Sequence, residues 1–376
     1  MDFSFSEEQT LLRNSVQSLL ADKYDFDTRR KIVKSAEGWS PAMWKQFAEL
    51  GLLAAPFAEE LGGLGGGPIE TMILMEEFGR HLVVEPFVET VVLAGGFLRE
   101  GGSKAQQDAL IPGIVDGSTV WAFAYAEPQG RYNLADLVTT AKKDGAGYTL
   151  NGYKAVVLGA PWASKLVVTA RTSGGQRDRD GVSVFTVDKS AAGVSTRDYP
   201  TVDGRRASEI TFENVKLGAD ALIGVEGKGL PLVEKITDQA IAALSAEAVG
   251  CMGELNKATV EYCKTRKQFG VPIGKFQVLQ HRMVDMFMAY EQSVSMTYMV
   301  NLKLSESDAE RVKAAAGAKV QIGKADRFVG QQSVQLHGGM GMTDELNVGH
   351  YFKRLTMIDT QFGNVDHQLK RYSQAA

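Results

Sequence analysis

Cys251 and Cys263 are the only cysteines in 376 residues, which excludes a disulfide framework and a four-thiolate zinc site. So few thiols fit a reducing compartment, and a cytoplasmic location is expected. Histidine is scarce too. His81, His281, His337, His350 and His367 show no H-x-x-x-H or H-E-x-x-H spacing, so no metal site is expected. No apolar run reaches the ~18 residues of a membrane-spanning helix. Met1 to Glu8 is acidic and lacks the basic and apolar stretches of a secretory signal, so none is expected. Neither charge is in excess: Lys+Arg 41 against Asp+Glu 45 leaves a net charge of −4, which argues against a nucleic-acid partner. Glycine, by contrast, is abundant at 40, where ~7% usage gives roughly 26.

The patterning changes twice along the chain. The first third reads as helical. Ser6 to Gln9 and Ser103 to Gln106 both have the capping-box form S-x-x-Q, in which hydroxyl and amide satisfy orphan helix N–H groups. Ser40 and Pro41 read as N-cap and first helical residue, and further helices are expected over Pro68–His81 and Pro86–Glu100. From Val120 short β-rich runs take over: Val120–Ala126, Leu137–Lys142, Tyr148–Leu150, Lys154–Leu158, Lys165–Ala170, Val182–Val187 and Ser208–Phe212. Asp144-Gly145, Asn151-Gly152, Gly174-Gly175, Asp180-Gly181 and Asp203-Gly204 read as the turns between them. With no helices interleaved, this predicts an antiparallel barrel or sandwich rather than a doubly wound sheet. After Gly229 long amphipathic stretches return over Leu230–Lys264, Phe276–Leu304, Ala309–His337 and Asn347–Arg354. The expected class is α+β in three parts: helical 1–119, β 120–224 and helical 225–376.

The glycine-rich Gly62–Gly67 lacks the Lys-Ser/Thr of a phosphate loop and the spacing G-x-G-x-x-G, and reads as an interhelical loop. His337-Gly338-Gly339-Met340-Gly341 is similar to an oxyanion-hole loop, but no G-x-S-x-G elbow accompanies it. Met283, Met286, Met288, Met296 and Met299 read mostly as helix-core filler. Arg266-Lys267-Gln268-Phe269-Gly270 lies between two long helical runs. Its Arg either holds an anion in the bidentate manner of a guanidinium or faces a helix dipole.

Taken in order and spacing, several segments resemble the acyl-CoA dehydrogenase family over essentially the whole chain. They are Gly51–Gly65, Ala126-Glu127-Pro128, Leu150-Asn151-Gly152-Tyr153-Lys154, Arg266–Gly270, Phe276-Gln277 and Gln335–Gly341. The resemblance implies an N-terminal helical domain, a central antiparallel β-barrel and a C-terminal four-helix bundle. It implies FAD, an acyl-CoA thioester substrate, α,β-desaturation and electron-transferring flavoprotein as acceptor. Such chemistry needs a positioned base for the α-proton and donors at the thioester oxygen.

The departures from the family pattern are organised. The register set by Arg354–Ile358 puts Gly363 where the family carries its catalytic Glu, and the alternative base position falls on Ala240. Val156-Val157-Leu158, Ala126, Val365 and Arg131-Tyr132 replace family residues around the flavin ring. By contrast Arg266, Phe269, Phe276, Gln277, Gln335, Gly338 and Gly339 match positions that reach across the family's dimer to the neighbour's FAD. The resemblance is closest to the small subunits of two-gene bacterial enzymes of steroid side-chain, bile-acid and dicarboxylate breakdown, pimeloyl-CoA dehydrogenase among them. It implies a hetero-oligomer, a heterotetramer with a second acyl-CoA dehydrogenase subunit, in which this chain completes the partner's FAD site; self-association is the other arrangement. Glu247, seven residues after Ala240 on the same helix, is either a displaced base or half of a buried ion pair. Non-redox chemistry on an acyl-CoA and a purely structural subunit are the remaining alternatives.

Overall fold

The structure, a computed structural model, describes residues 4–375; Met1 to Phe3 of the acidic N-terminus lie outside them. Helices α1 (Glu7–Lys23), α2 (Phe26–Lys34), α3 (Pro41–Glu49), α4 (Pro68–His81), α5 (Gly95–Gly101) and α6 (Lys104–Val115) come first. Strands β1 (Trp121–Ala124), β2 (Thr140–Asp144), β3 (Gly147–Leu158), β4 (Lys165–Arg171), β5 (Val182–Asp188), β6 (Val194–Pro200), β7 (Arg206–Leu217) and β8 (Leu222–Ile223) follow. Next come α7 (Leu230–Thr265), the hairpin β9 (Lys267–Gln268) and β10 (Val271–Pro272), α8 (Gln277–Lys303), α9 (Asp308–His337), α10 (Asn347–Thr360) and α11 (Val365–Gln374). The order is helical, β, helical.

Local chemistry sets the helix starts. Ser6 accepts from Gln9 N–H while the Gln9 side chain accepts from Ser6 N–H, a full capping box, and Ser103 and Gln106 repeat it. Ser40 caps α3, with Pro41 at its first turn.

Two compact units result. One combines the described parts of Met1–Lys31, Pro68–Val83 and Ile241–Ala376. In it α9 packs against α8, α10 and α11, and α1 against α4. Its core holds Val16, Leu20, Phe78, Leu255, Ile322, Val329, Leu355 and Ile358. α4 meets α7 backbone to backbone. A Cβ at Gly79 would collide with the carbonyl oxygen of Glu247, and one at Gly250 with that of Glu76. Only glycine permits that approach.

The other unit comprises Ile32–Gly67 and Val84–Ala240. Its sheet runs β6-β7-β3-β2-β4-β5-β8, with β1 added beside β4. Pairing is antiparallel except for β1 on β4 and the single Thr140–Arg171 bridge, which are parallel. Several sequence expectations change here. Asn151-Gly152 is not a turn: β3 passes straight through it, with a register shift between Leu150 and Gly152 and another between Lys154 and Val157. A bulge and a turn both recruit glycine, and the local sequence does not separate them. Pro86–Glu100 holds a π-helical stretch, Val88–Ala94, before α5. The methionines are not mostly core: Met286 is fully buried, while Met288 is 50% exposed.

Candidate functional site

Three neighbourhoods receive the residues singled out above. The first surrounds the turn after α10. Arg354, on the buried face of α10, meets Glu247 of α7 in a bidentate pair, Nε to Oε1 at 2.6 Å and Nη2 to Oε2 at 2.7 Å. Both side chains are buried. A carboxylate clasped this way has its basic lone pairs occupied by the fork of the guanidinium. Glu247, considered above as a displaced base, is thus placed as an ion-pair partner. Ala240 is buried. Lys319 of α9 donates to the carbonyl of Ile358 and, at 3.0 Å, to that of Asp359, satisfying carbonyls that the last turn of α10 leaves open. Burial pulls the Lys319 ammonium down to about 8 and pushes the carboxyl of nearby Asp326 well up. The chain then turns through Phe362 (φ 55°) and Gly363 (φ 107°) into α11, which Asn364 caps. Lys319 carried no motif; its only signal is a Lys among Ala315, Ala318 and Ile322, with Asp326 two turns further along the same helix.

The second neighbourhood gathers Arg266, Phe269, Phe276, Gln277, Gln335, Gly338 and Gly339, all in the helical unit. Two contacts bring them together. Tyr262, one turn before Arg266, stacks on His337, the residue before Gly338, with centroids 4.4 Å apart. Phe269 meets Phe276 edge to face at 6.3 Å. The hairpin turn is Phe269-Gly270, with φ of 52° and 78°. Both central residues are left-handed, as a type I′ turn requires. Asn-Gly is the ordinary choice there; a phenylalanine in this region is strained by roughly 1–2 kcal/mol. Phe269 is also 93% exposed. Within the unit the edge-to-face contact with Phe276 leaves most of this strained ring uncovered. Arg266 is exposed beside it, and a Cβ at Gly338 or Gly339 meets nothing within 4 Å, so the backbone there is open to a close ligand. Tyr262 and His337 were not predicted as organisers of this face.

The third lies in the sheet unit. Lys154, fully buried, donates to Glu127 Oε1 at 2.7 Å, Thr169 Oγ1 at 3.2 Å and the Tyr125 carbonyl at 3.3 Å. Glu127 also accepts from the N–H groups of Val138 and Thr139. Burial pulls Lys154 down to about 8 even against the opposing charge, while Lys154 holds Glu127 below the usual carboxylate range despite burial. The Ala126-Glu127-Pro128 and Asn151–Lys154 motifs thus meet as one buried ion pair that closes the segment 127–139. Next to it Val156 sits at φ 51° and is 47% exposed, a rare conformation for a β-branched residue. Val156, Val157 and Leu158 present no hydroxyl.

Four histidines are buried enough to disfavour their charged form. Burial lowers His81, His337, His350 and His367, and for His350 the Arg29 guanidinium adds to it. Arg29 donates to His350 Nδ1 at 3.0 Å, so the ring proton sits on Nε2, 3.2 Å from the Asp344 carbonyl. Below the unfolded value of ~6.5 the unfolded chain therefore binds more protons than the folded one. Stability is full above that pH and falls as pH drops toward the depressed folded values. A melting series from about pH 7.5 to pH 5 is expected to show a falling Tm, with a shallower fall in His350→Asn; equal slopes would remove His350 from the account.

The helical, β, helical order with a predominantly antiparallel sheet matches the architecture expected of an acyl-CoA dehydrogenase. Models of the N-terminal, middle and C-terminal domains of acyl-CoA dehydrogenase match residues 6–118, 122–215 and 227–375. The chain belongs to the acyl-CoA dehydrogenase family. It is 32% identical to the acyl-CoA dehydrogenase FadE12 of Mycobacterium tuberculosis over 364 residues, 92% of this chain and 90% of that one. Among solved structures it is similar to the G363A variant of the Tcur3481-Tcur3483 steroid ACAD, at 29% identity and TM-score 0.89 over 98% of this chain and 97% of that one. It is also similar to an FAD complex of PigA, at 26% identity and TM-score 0.92 over 100% and 98%. Among the described residues no helix is long and apolar enough to cross a membrane, and no cluster of three or more His, Cys, Asp or Glu could hold a metal ion.

Proposed function

We propose that the chain is an FAD-dependent acyl-CoA dehydrogenase subunit of a hetero-oligomer, built in three parts, 1–119, 120–224 and 225–376, which completes the FAD site of a catalytic partner. The observation that carries this reading is Phe269, held at φ 52° and 93% exposed on the hairpin beside Arg266. That arrangement suits a residue covered by another subunit. The residues of this face fit an adenosine diphosphate group: Arg266 offers a planar fork to phosphate, Gly338 and Gly339 leave their backbone uncovered, and Gln277 and Gln335 add amide donors. When bound, FAD accepts the hydride that leaves the acyl β-carbon. This chain's own residues hold and orient the diphosphate end. They offer no base: Gly363 and Ala240 carry none, and Glu247 is committed to Arg354. The ring-side positions Ala126, Leu158 and Val365 lack the hydroxyls that the family uses. The steroid enzyme named as a pair and the FAD-bound relative support the same assignment. Electron-transferring flavoprotein is the proposed acceptor.

Flavin content tests it. The chain purified alone is expected to carry well under one FAD, and addition of a neighbouring gene's subunit is expected to restore both flavin and acyl-CoA-dependent bleaching. Loss of a charge-assisted bond worth about 1.5–3 kcal/mol makes Arg266→Ala weaken FAD retention in the assembly by roughly 10- to 100-fold. One FAD per lone chain together with desaturation would reject the partner.

A further inference from the structure

The turn that holds Gly363 is closed by its own helix. Phe362 and Gly363 are consecutive left-handed residues, and both are buried. A Cβ built on Gly363 would collide with the imidazole of His367 and stand 2.9 Å from Gln368 Nε2. Gln368 is not free to withdraw, because its amide donates to the Phe362 carbonyl at 2.6 Å and it is buried. His367 is fixed at its root: its N–H donates to Asn364 Oδ1 at 3.1 Å. Upstream, Lys319 holds the carbonyls of Ile358 and Asp359. The segment is therefore tied at its start, middle and end, and the space that a side chain at 363 needs is already filled.

We infer that this turn is packed specifically around glycine and that His367 is the residue that shuts the family's base position, so that a carboxylate cannot be reinstated there by a single substitution. In its functional half the inference rests on the proposed reading of Gly363 as the vacated base position; its steric half stands on the geometry alone. On the proposed heteromer reading, the base for the α-proton is a carboxylate of the partner subunit. His367 acts here as a blocking and positioning group, not as a catalytic residue.

The lone chain suffices for the test. Thermal unfolding is compared for wild type, Gly363→Ala, His367→Ala and the double variant, with Gly363→Glu as a fifth protein. The left-handed backbone and the collision together make Gly363→Ala lose about 5 °C or more, and Gly363→Glu lose at least as much. The double variant is expected to lose less than the sum of the two singles, because removing the ring opens the space. A second readout separates blocking from general weakening. In Gly363→Ala the displaced imidazole comes out of its burial, so its NMR titration moves up toward the ordinary histidine value, while His350 stays where it was. Strictly additive losses, an unchanged Tm in Gly363→Ala, or an unmoved His367 titration would each overturn the inference. If Gly363→Ala does not fold, the double variant must fold better than it, or the inference fails. None of these outcomes depends on the flavin ratio, so the heteromer reading and the blocked turn can fail separately.

Discussion

Glu247→Ala is expected to destabilise the helical unit by about 3–5 kcal/mol, because it leaves the buried Arg354 guanidinium without its counter-charge. At roughly 2–4 °C per kcal/mol for a chain of this size, Tm falls by something on the order of 10 °C. The loss comes from the orphaned cation more than from the contact itself. Exchanging both partners for apolar residues of similar volume, Glu247→Leu with Arg354→Met, is therefore expected to cost much less than either single change. A thermal melt of the three variants decides it. The opposite pattern would return Glu247 to the role of base: Glu247→Gln melting like wild type while the assembled enzyme loses desaturation. The bidentate geometry predicts that Glu247→Gln melts low as well, since an amide cannot answer a guanidinium with two acceptors.

The second large effect is in the sheet unit. Glu127→Ala removes the partner of a lysine that has no exposed surface and also removes the acceptor of the Val138 and Thr139 N–H groups. A loss of about 3–5 kcal/mol is again expected, but its signature differs. The segment 127–139 is closed by that carboxylate, so limited proteolysis of Glu127→Ala is expected to open within it before the rest of the chain is cut. Lys154→Met leaves a carboxylate that can still take the two backbone donors, and it is expected to melt low but resist cleavage there longer. Cleavage of Glu127→Ala at wild-type rate would show that the segment is held by something else.

What could be read in advance follows the range of the interactions. Ser6 with Gln9 and Ser103 with Gln106 are complete within four residues, and the helix starts they predict are the ones observed. The long helices α7 to α9 announce themselves by periodicity. β6 does not: Ser195 to Asp198 are all exposed on an edge strand, so no alternation marks it. α11 is too polar to stand out, and its turn depends on Lys319 from another helix. Glu247 stayed open between two roles because its partner is 107 residues away. The register raises the expectation of a carboxylate at Gly363, but it cannot show the position as crowded, since that requires the place of the His367 ring. Motif order singles out Arg266, Phe269 and Gly338 as candidates. That Phe269 is strained and largely uncovered within its own unit needed the hairpin geometry.

The crossing of α4 and α7 has a consequence for how such a sequence can drift. Gly79 faces the Glu247 carbonyl and Gly250 faces the Glu76 carbonyl, so each glycine is required by the other helix's backbone, which no substitution alters. Changing one therefore cannot be compensated by a smaller side chain opposite, as it can in an ordinary core. The backbone of the residue that clasps Arg354 is one of the two touching surfaces. The ion pair and the crossing are thus inherited together: side chains around them can vary one at a time, but this point can change only by moving two helices at once.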